Sequence, residues 1–458
     1  MKHVLGILLL FFVQLVIGQV TPNSLFQNHM VLQRNKPIAV FGKAITEKTV
    51  TVTFKGKKYS TKVKNGYWKL YLDESKAGGP YNLTIEGKNS IVLRDVLVGE
   101  VWLCSGQSNM EMPIRGNKGQ PINGSNSTIL NSNNTQIRLF KVGRKISQTP
   151  VNSCDGEWKL TNPSTVGNFS ATAYFFGKTL QEKLNVPIGL ITSSWGGTPA
   201  EAWTPKEIIE SEFKDFKGWN KDSSKPQKNP SVLYNSMIHP LIPFTFKGVI
   251  WYQGESNKNY HQNYKQLFSS MIKSWRKEWN QGEFPFYFTQ IAPLGWGGEN
   301  QAYLREAQLK TMLSVAKTGM AVTLDIGEKT CIHPAEKQKV GERLALWALA
   351  KDYDFNAIQF SGPVYKSMTV NQNKVLLHFD HAPLGVFNFG KEMNGFKVAG
   401  EDKIFYEAEA EIKRGVLTVW SDKVKKPIAV RYGWADWVEG SLFNTAKLPA
   451  SSFRSDDW

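Results

Sequence analysis

Cysteine is scarce in this chain. Only Cys104, Cys154 and Cys331 occur in 458 residues, too few for a disulfide scaffold, and no CxxC pair points to zinc. The seven histidines include no HExxH pair. His378 and His381 in "LHFDHAP" fall in an expected β hairpin, where solvated or packed rings are the rule, so no metal site is expected. Arginine-rich runs, zinc-finger spacing and RNA-binding signatures are also missing. The formal charge of +17, from 56 Lys and Arg against 39 Asp and Glu, is scattered singly, as in "KGKKYSTKVKNGYWK", and no nucleic-acid partner is expected. Long apolar runs are confined to the beginning. "MKHVLGILLLFFVQLVIGQV" has a basic start, an apolar stretch and small residues near Gly18, the pattern of a signal peptide over residues 1–18. Export to a periplasm or the exterior is therefore expected, and no stable membrane insertion after the leader is removed, because no later run approaches about 18 apolar residues. Sequons at Asn82 and Asn168 keep a eukaryotic secretory route open.

What is present is a hydrophobic fraction of 41% over a long chain, enough for two or three cores. From Ser24 to Val98, short β-prone runs such as "IAVFGKA", "KTVTVTFKGKKYS" and "SIVLRDVLV" recur between turn residues, predicting a β-sandwich domain over 19–97. A similar pattern after Phe360 predicts a β domain over 356–458. Between them, "GEVWLCS", "IGLITSS", "FKGVIWYQ", "FPFYFTQI" and "GMAVTLDIG" alternate with helix-like segments, which predicts an α/β domain with a parallel sheet over 98–355. The clearest helix holds Tyr264, Leu267, Phe268, Met271, Ile272, Trp275 and Trp279 on one stripe. These aromatics are expected in the core.

In an open α/β sheet, ligands bind beyond the carboxyl ends of the strands. Ser108, Gly196, Gly197, Gln253, Glu255 and the segment after Asp325 all follow such strands. A serine hydroxyl becomes a useful nucleophile only with a base beside it and donors for the developing oxyanion. His333 is the best candidate base. Pro334 suits a first helical position, which would put the ring at a positive helix end and favour its neutral form. "GQSNMEMP" is not GxSxG, because Met110 stands at the second glycine, so the nucleophile elbow of α/β-hydrolases is disfavoured. Cys104, inside the strand, reads as packed and inert. Asn109 and Met110 are expected to shape the turn, with Met110 in a pocket wall. Arg305 and Glu306 in "LREAQ" are expected to form a surface pair.

"GQSNMEMP", "SSWGGTPAEAW", "WYQGESN" and "IHPAEKQKVGERLA", in this order, resemble the sialate O-acetylesterase family, a branch of the SGNH hydrolases. "MVLQRNKPIAVFGKA", "YNSMIHPL" and the closing "LPASSFRSDDW" extend the resemblance over nearly the whole mature chain. It implies an SGNH-type parallel-sheet three-layer catalytic domain flanked by β domains, and a serine esterase acting on O-acetylated sugar without cofactor or metal. At the matching positions it implies Ser108 as nucleophile and His333 as general base. The implied oxyanion donors are the Ser108 N–H, an N–H of Gly196 or Gly197, and the Gln253 side-chain amide. The sequence departs from the pattern where an aspartate often precedes the histidine, since Thr330 and Cys331 stand there. Glu255 is the first choice for the acid that orients His333, Asp325 and Glu328 are alternatives, and a Ser-His dyad held by a backbone carbonyl is another. O-acetylated sialic acid is the implied substrate. Esterases of xylan, xyloglucan or other plant polysaccharides, an inactive carbohydrate-binding protein, and a lipase are the competing readings; oligomeric state is left open.

Overall fold

The computed structural model describes residues 19–214 and 224–458; the leader expected over 1–18 lies outside them. Two strands within residues 20–86 alternate in burial as strands covered on one face should. Trp68, Leu70 and Leu72 point inward from Tyr67–Leu72, and Val50, Val52 and Phe54 from Thr49–Phe54. The first strand pairs antiparallel with Ile38–Ala44 and the second with Lys57–Lys62 and Gly78–Glu86. Their inward side chains meet in one apolar core.

The strand β1 (Ser90–Gly106) changes character along its length. Its first part alternates in burial and pairs with Gly78–Glu86, whereas from Val96 onward every residue is buried. The change follows Asp95, whose φ of 55° is a left-handed conformation that a short acidic side chain tolerates. Arg138 holds the Asp95 carboxylate with two hydrogen bonds, at 2.7 and 3.2 Å. Position 97/98, the division expected from the sequence, thus lies inside one continuous strand.

β1 then becomes the centre of a large mixed sheet with β2 (Asn134–Lys141), β3 (Trp158–Thr161), β4 (Ile188–Ser194), β5 (Gly248–Tyr252), β6 (Phe286–Thr289) and β7 (Thr318–Ala321). The order is β3-β2-β4-β1-β5-β6-β7, parallel throughout except for β3 at the edge. The chain builds one side of β1 first and the other afterwards, so the order reverses at β1. This is the place where a crevice opens beyond the strand ends.

Alternate residues of the buried strands feed two cores. Val101, Leu103, Val249 and Trp251 join the aromatic stripe of α2 (His261–Trp279) and Leu304 of α3 (Asn300–Ser314). Trp102, Cys104, Ile250 and Tyr252 join α1 (Ala171–Leu184) and α4 (Lys337–Asp352) on the opposite face. The seven stripe residues predicted for α2 are all buried. A layer of helices on each face is what strands buried on both sides require.

After α4 the chain forms two four-stranded sheets and a two-stranded one. This β unit docks on α3. Arg305 is fully buried and gives hydrogen bonds to Ser452 Oγ at 2.9 Å and to the Gly433 and Ala435 carbonyls at 3.0 and 2.5 Å. Glu306 pairs instead with Arg454 at 2.9 Å. The expected Arg305–Glu306 surface pair is therefore not formed, because adjacent helical residues diverge around the axis and face different partners. His378 lies exposed in a strand beside Thr369, and His381 packs its ring near Phe360. No helix among the described residues is long and apolar enough to cross a membrane.

Candidate active site

β1 ends at Gly106, whose φ is 137°. A Cβ there would lie 2.2 Å from the Tyr252 carbonyl oxygen, so only glycine lets the chain leave the sheet beside β5. The Gln107 N–H then bonds Tyr252 O at 2.9 Å. Ser108 starts a one-turn helix, Ser108–Glu111, which leaves its N–H without an intrahelical acceptor. Ser108 is half-buried, whereas Asn109 and Met110 beside it are buried. Met110 lies in the core with its sulfur 3.7 Å from Ser170 Oγ, so it is not the pocket wall expected from the sequence; the one-turn helix rotates it inward.

The Trp195–Thr198 turn after β4 stands over Ser108. A Cβ on Gly196 would lie 3.2 Å from Ser108 Cβ. The Gly196 N–H is already used, donating to Glu111 Oε2 at 2.9 Å, while Arg144 holds the other Glu111 oxygen. Gly197 has a φ of 72° and open space around it, and its N–H has no hydrogen bond among the described residues. Gln253 is fully buried, and its amide donates to Asn257 Oδ1 at 2.6 Å and Thr198 O at 3.3 Å. Its oxygen accepts from Tyr264 at 2.9 Å. Gln253 thus presents no free donor: its polar atoms support the turn from below. Asn257 continues that support, accepting from the Ala200 N–H and donating to both oxygens of buried Glu201.

His333 arrives on the loop after β7. The expected helix start at Pro334 is displaced, since α4 begins at Lys337. The intervening turn is braced by the Ala335 N–H, which donates to Glu328 Oε1 at 2.6 Å. Neither ring nitrogen of His333 has a hydrogen-bond partner among the described residues. Burial, and then the nearby Lys337 ammonium, push the imidazole pKa down to about 4. The ring is therefore neutral near pH 7, through desolvation and a neighbouring cation rather than a helix end.

The three candidate acids have other partners. Asp325 forms a two-pronged ion pair with Arg343, both bonds 2.7 Å. Glu328 braces the turn as described. Glu255 accepts from Asn109 Nδ2 at 2.6 Å, and its second oxygen is buried without a partner. Burial raises its pKa. None of the three hydrogen-bonds His333.

Asn109 is the junction. Besides Glu255, its Nδ2 bonds the Ile332 carbonyl at 3.0 Å, and its Oδ1 accepts from Lys337 Nζ at 2.7 Å. The neighbour of Ser108 is thus bonded to the neighbour of His333, which brings the two loops together. Lys337, 1% exposed, also donates to Pro334 O at 2.6 Å. Burial lowers its pKa to about 7, with Glu255 opposing the shift. Sequence reasoning missed Lys337. Its only trace is a lysine four residues after the histidine in "HPAEK", in a chain full of exposed lysines. Cys104 is buried as expected, which drives its thiol pKa up.

A family profile described as carbohydrate esterase, sialic acid-specific acetylesterase, matches residues 98–350. The sialate O-acetylesterase of Rattus norvegicus is 32% identical over 427 residues, covering 78% of each chain. That of Pongo abelii is 32% identical over 460 residues, covering 90% of this chain and 87% of its own. The crystal structure of a carbohydrate acetylesterase from Xanthomonas citri superimposes with a TM-score of 0.89 at 38% identity, over 96% of this chain and all of that one.

Fold, site and relatives together define an esterase that acts on carbohydrate. The chain belongs to the sialic acid-specific acetylesterase family of carbohydrate esterases.

Proposed function

We propose that this esterase removes O-acetyl groups from sialic acid by a two-step transfer through an acetyl-enzyme on Ser108. His333 takes the Ser108 proton as the hydroxyl attacks the acetyl carbonyl, then gives it to the departing sugar oxygen. It next activates the water that releases acetate. The Ser108 and Gly197 N–H groups receive the oxyanion, and loss of such a donor costs about 10²–10³ in turnover. Gln253 positions the Gly197 turn, and Asn109, Glu255 and Lys337 position Ser108 against His333.

The observation that carries this reading is the Asn109 Nδ2 to Ile332 O hydrogen bond, 3.0 Å, which joins the serine turn to the histidine loop. Sialic acid as the sugar rests on the names of the family and of its mammalian members. Export with removal of residues 1–18, and division into units of 19–97, 98–355 and 356–458, belong to the same proposal. The test is acetate release from O-acetylated sialic acid and acetylated xylan, side by side. Release from the sialic acid alone, abolished by Ser108→Ala, supports the reading; release from xylan alone overturns the choice of sugar, and activity that survives Ser108→Ala overturns the mechanism.

A further inference from the structure

A cavity of about 620 Å³ lies away from Ser108, where the N-terminal β sheets meet residues 152–153 and 242–243. Its size falls within the range of about 300–1,000 Å³ typical of ligand clefts, which favour such junctions. The seam is fixed by Asn23, whose Nδ2 donates to the Asn152 and Pro240 carbonyls. Lys43, Lys62, Lys64 and Lys69 line the cavity, and no Asp or Glu does. None of these four lysines has an ion-pair partner among the described residues, unlike Lys57 nearby, which pairs with Asp73. The Lys69 ammonium leans over the Tyr71 ring, outside the lining, and the other three lysines, in a wall without a carboxylate, create a positive field that an anion would complement.

The aromatic part of the wall is Phe41, Tyr67 and Trp68. Tyr67 is 46% exposed, yet it is held at its hydroxyl, which accepts from Asn152 Nδ2 at 2.9 Å. Lys43 Nζ lies 5.6 Å from its ring centroid. An apolar ring face beside ammonium groups suits a molecule that is a flat C–H surface on one side and an anion at its edge. Thr21, Thr61 and Ser153 are also part of the lining. A pyranose carrying a carboxylate has this shape and charge.

We propose that the cavity is a second carbohydrate site, which binds a carboxylate-bearing saccharide with its ring against Tyr67 and its carboxylate among Lys43, Lys62 and Lys64. The site holds an acidic glycan while a different residue of it is deacetylated. It goes beyond the esterase reading and shares no residue with Ser108 or His333.

The experiment is calorimetric titration of the full chain with unacetylated trigalacturonate and sialyllactose as acidic probes, and xylotriose as the neutral one. Saturable binding of an acidic probe at one site is expected, weakened by about ten-fold or more in Tyr67→Ala and in Lys62→Gln/Lys64→Gln. Lys366→Gln/Lys413→Gln, on a distant surface, should bind as the parent does. Release of acetate from 4-nitrophenyl acetate should be unchanged in all of these variants, which also shows that they fold. The inference is overturned if neither acidic probe binds, if xylotriose binds as tightly, or if tripolyphosphate displaces the probe and Tyr67→Ala has no effect, since charge alone would then explain the binding. No probe carries an acetyl ester, so binding that holds while acetate release fails sinks the esterase mechanism and leaves this site standing.

Discussion

Asn109 connects four partners under the serine turn: Glu255, Ile332, Lys337 and, through its own carbonyl, Thr172 Oγ1 at 3.3 Å. A buried lysine or glutamate is costly unless its polar atoms are satisfied, and Asn109 supplies a bond to each. Asn109→Ala strips both at once and frees the histidine loop. Turnover should fall about 100-fold, the scale of a 1 Å misplacement, with little change in KM; steady-state kinetics on an acetylated sugar would show the split. The depressed His333 pKa, about 4, makes kcat/KM fall only as pH drops through about 4. Lys337→Gln removes one cause of that depression, so the acid limb should move toward the ordinary histidine value of about 6.5. A purely structural lysine would lower thermal stability and leave the limb in place. Stability follows the same sign. Between about 4 and 6.5 the unfolded chain binds more protons at this histidine than the folded one does, so folding free energy weakens as pH falls through that window. Denaturant titrations of the parent and His333→Gln should diverge there. The placement of Ser108 and His333 on loops beyond the strand ends was legible because each lies in a motif. Lys337 and the true contacts of Gln253 and Glu255 were not, because spacing cannot tell which partner a buried amide or carboxylate meets.

At the scale of the elements, β1 decides the geometry. "SIVLRDVLV" and "GEVWLCS" read as two separate runs, one in the N-terminal β domain and one in the α/β domain. The structure joins them. Asp95 takes a left-handed φ and is held by Arg138, and Gly99 passes so close to Pro187 that a Cβ would lie 2.0 Å from its carbonyl oxygen. Gly106 closes the same strand, and Gly106→Ala should destabilise the chain by about 1–3 kcal/mol, the cost of forcing a methyl into packed backbone. Chemical denaturation measures this, and acetate release should fall with it because Ser108 is two residues on. The helices were easier to read. The α2 stripe shows a 3.6-residue period, and all of it packs on Trp251 and its neighbours.

For the molecule as a whole, the C-terminal β unit has its own anchor. Arg305 is buried to the point that its pKa falls to about 10, and it gives its hydrogen bonds across the junction. Arg305→Ala leaves the Ala435 carbonyl unpaired and the Gly433 carbonyl with Ser452 Oγ alone, so the 356–458 region should become sensitive to proteolysis before the central sheet unfolds. Equal resistance in the variant and the parent would contradict this docking. This anchor was not legible beforehand, since a "LRE" triplet on a helix looks like any solvated face. The β, α/β, β order of the chain was readable from strand length and spacing, whereas the pinning between units depends on contacts between residues more than a hundred positions apart.

In the proposed mechanism Ser108 and His333 act as one unit. The most direct measurement of this is kcat for release of acetate from O-acetylated sialic acid by Ser108→Ala, His333→Ala and the double variant, all shown to be folded. Each single change should cost about 10⁴–10⁶ in turnover, and the double change no more than one of them. Losses that multiply, or a Ser108→Ala chain that still turns over, would contradict it.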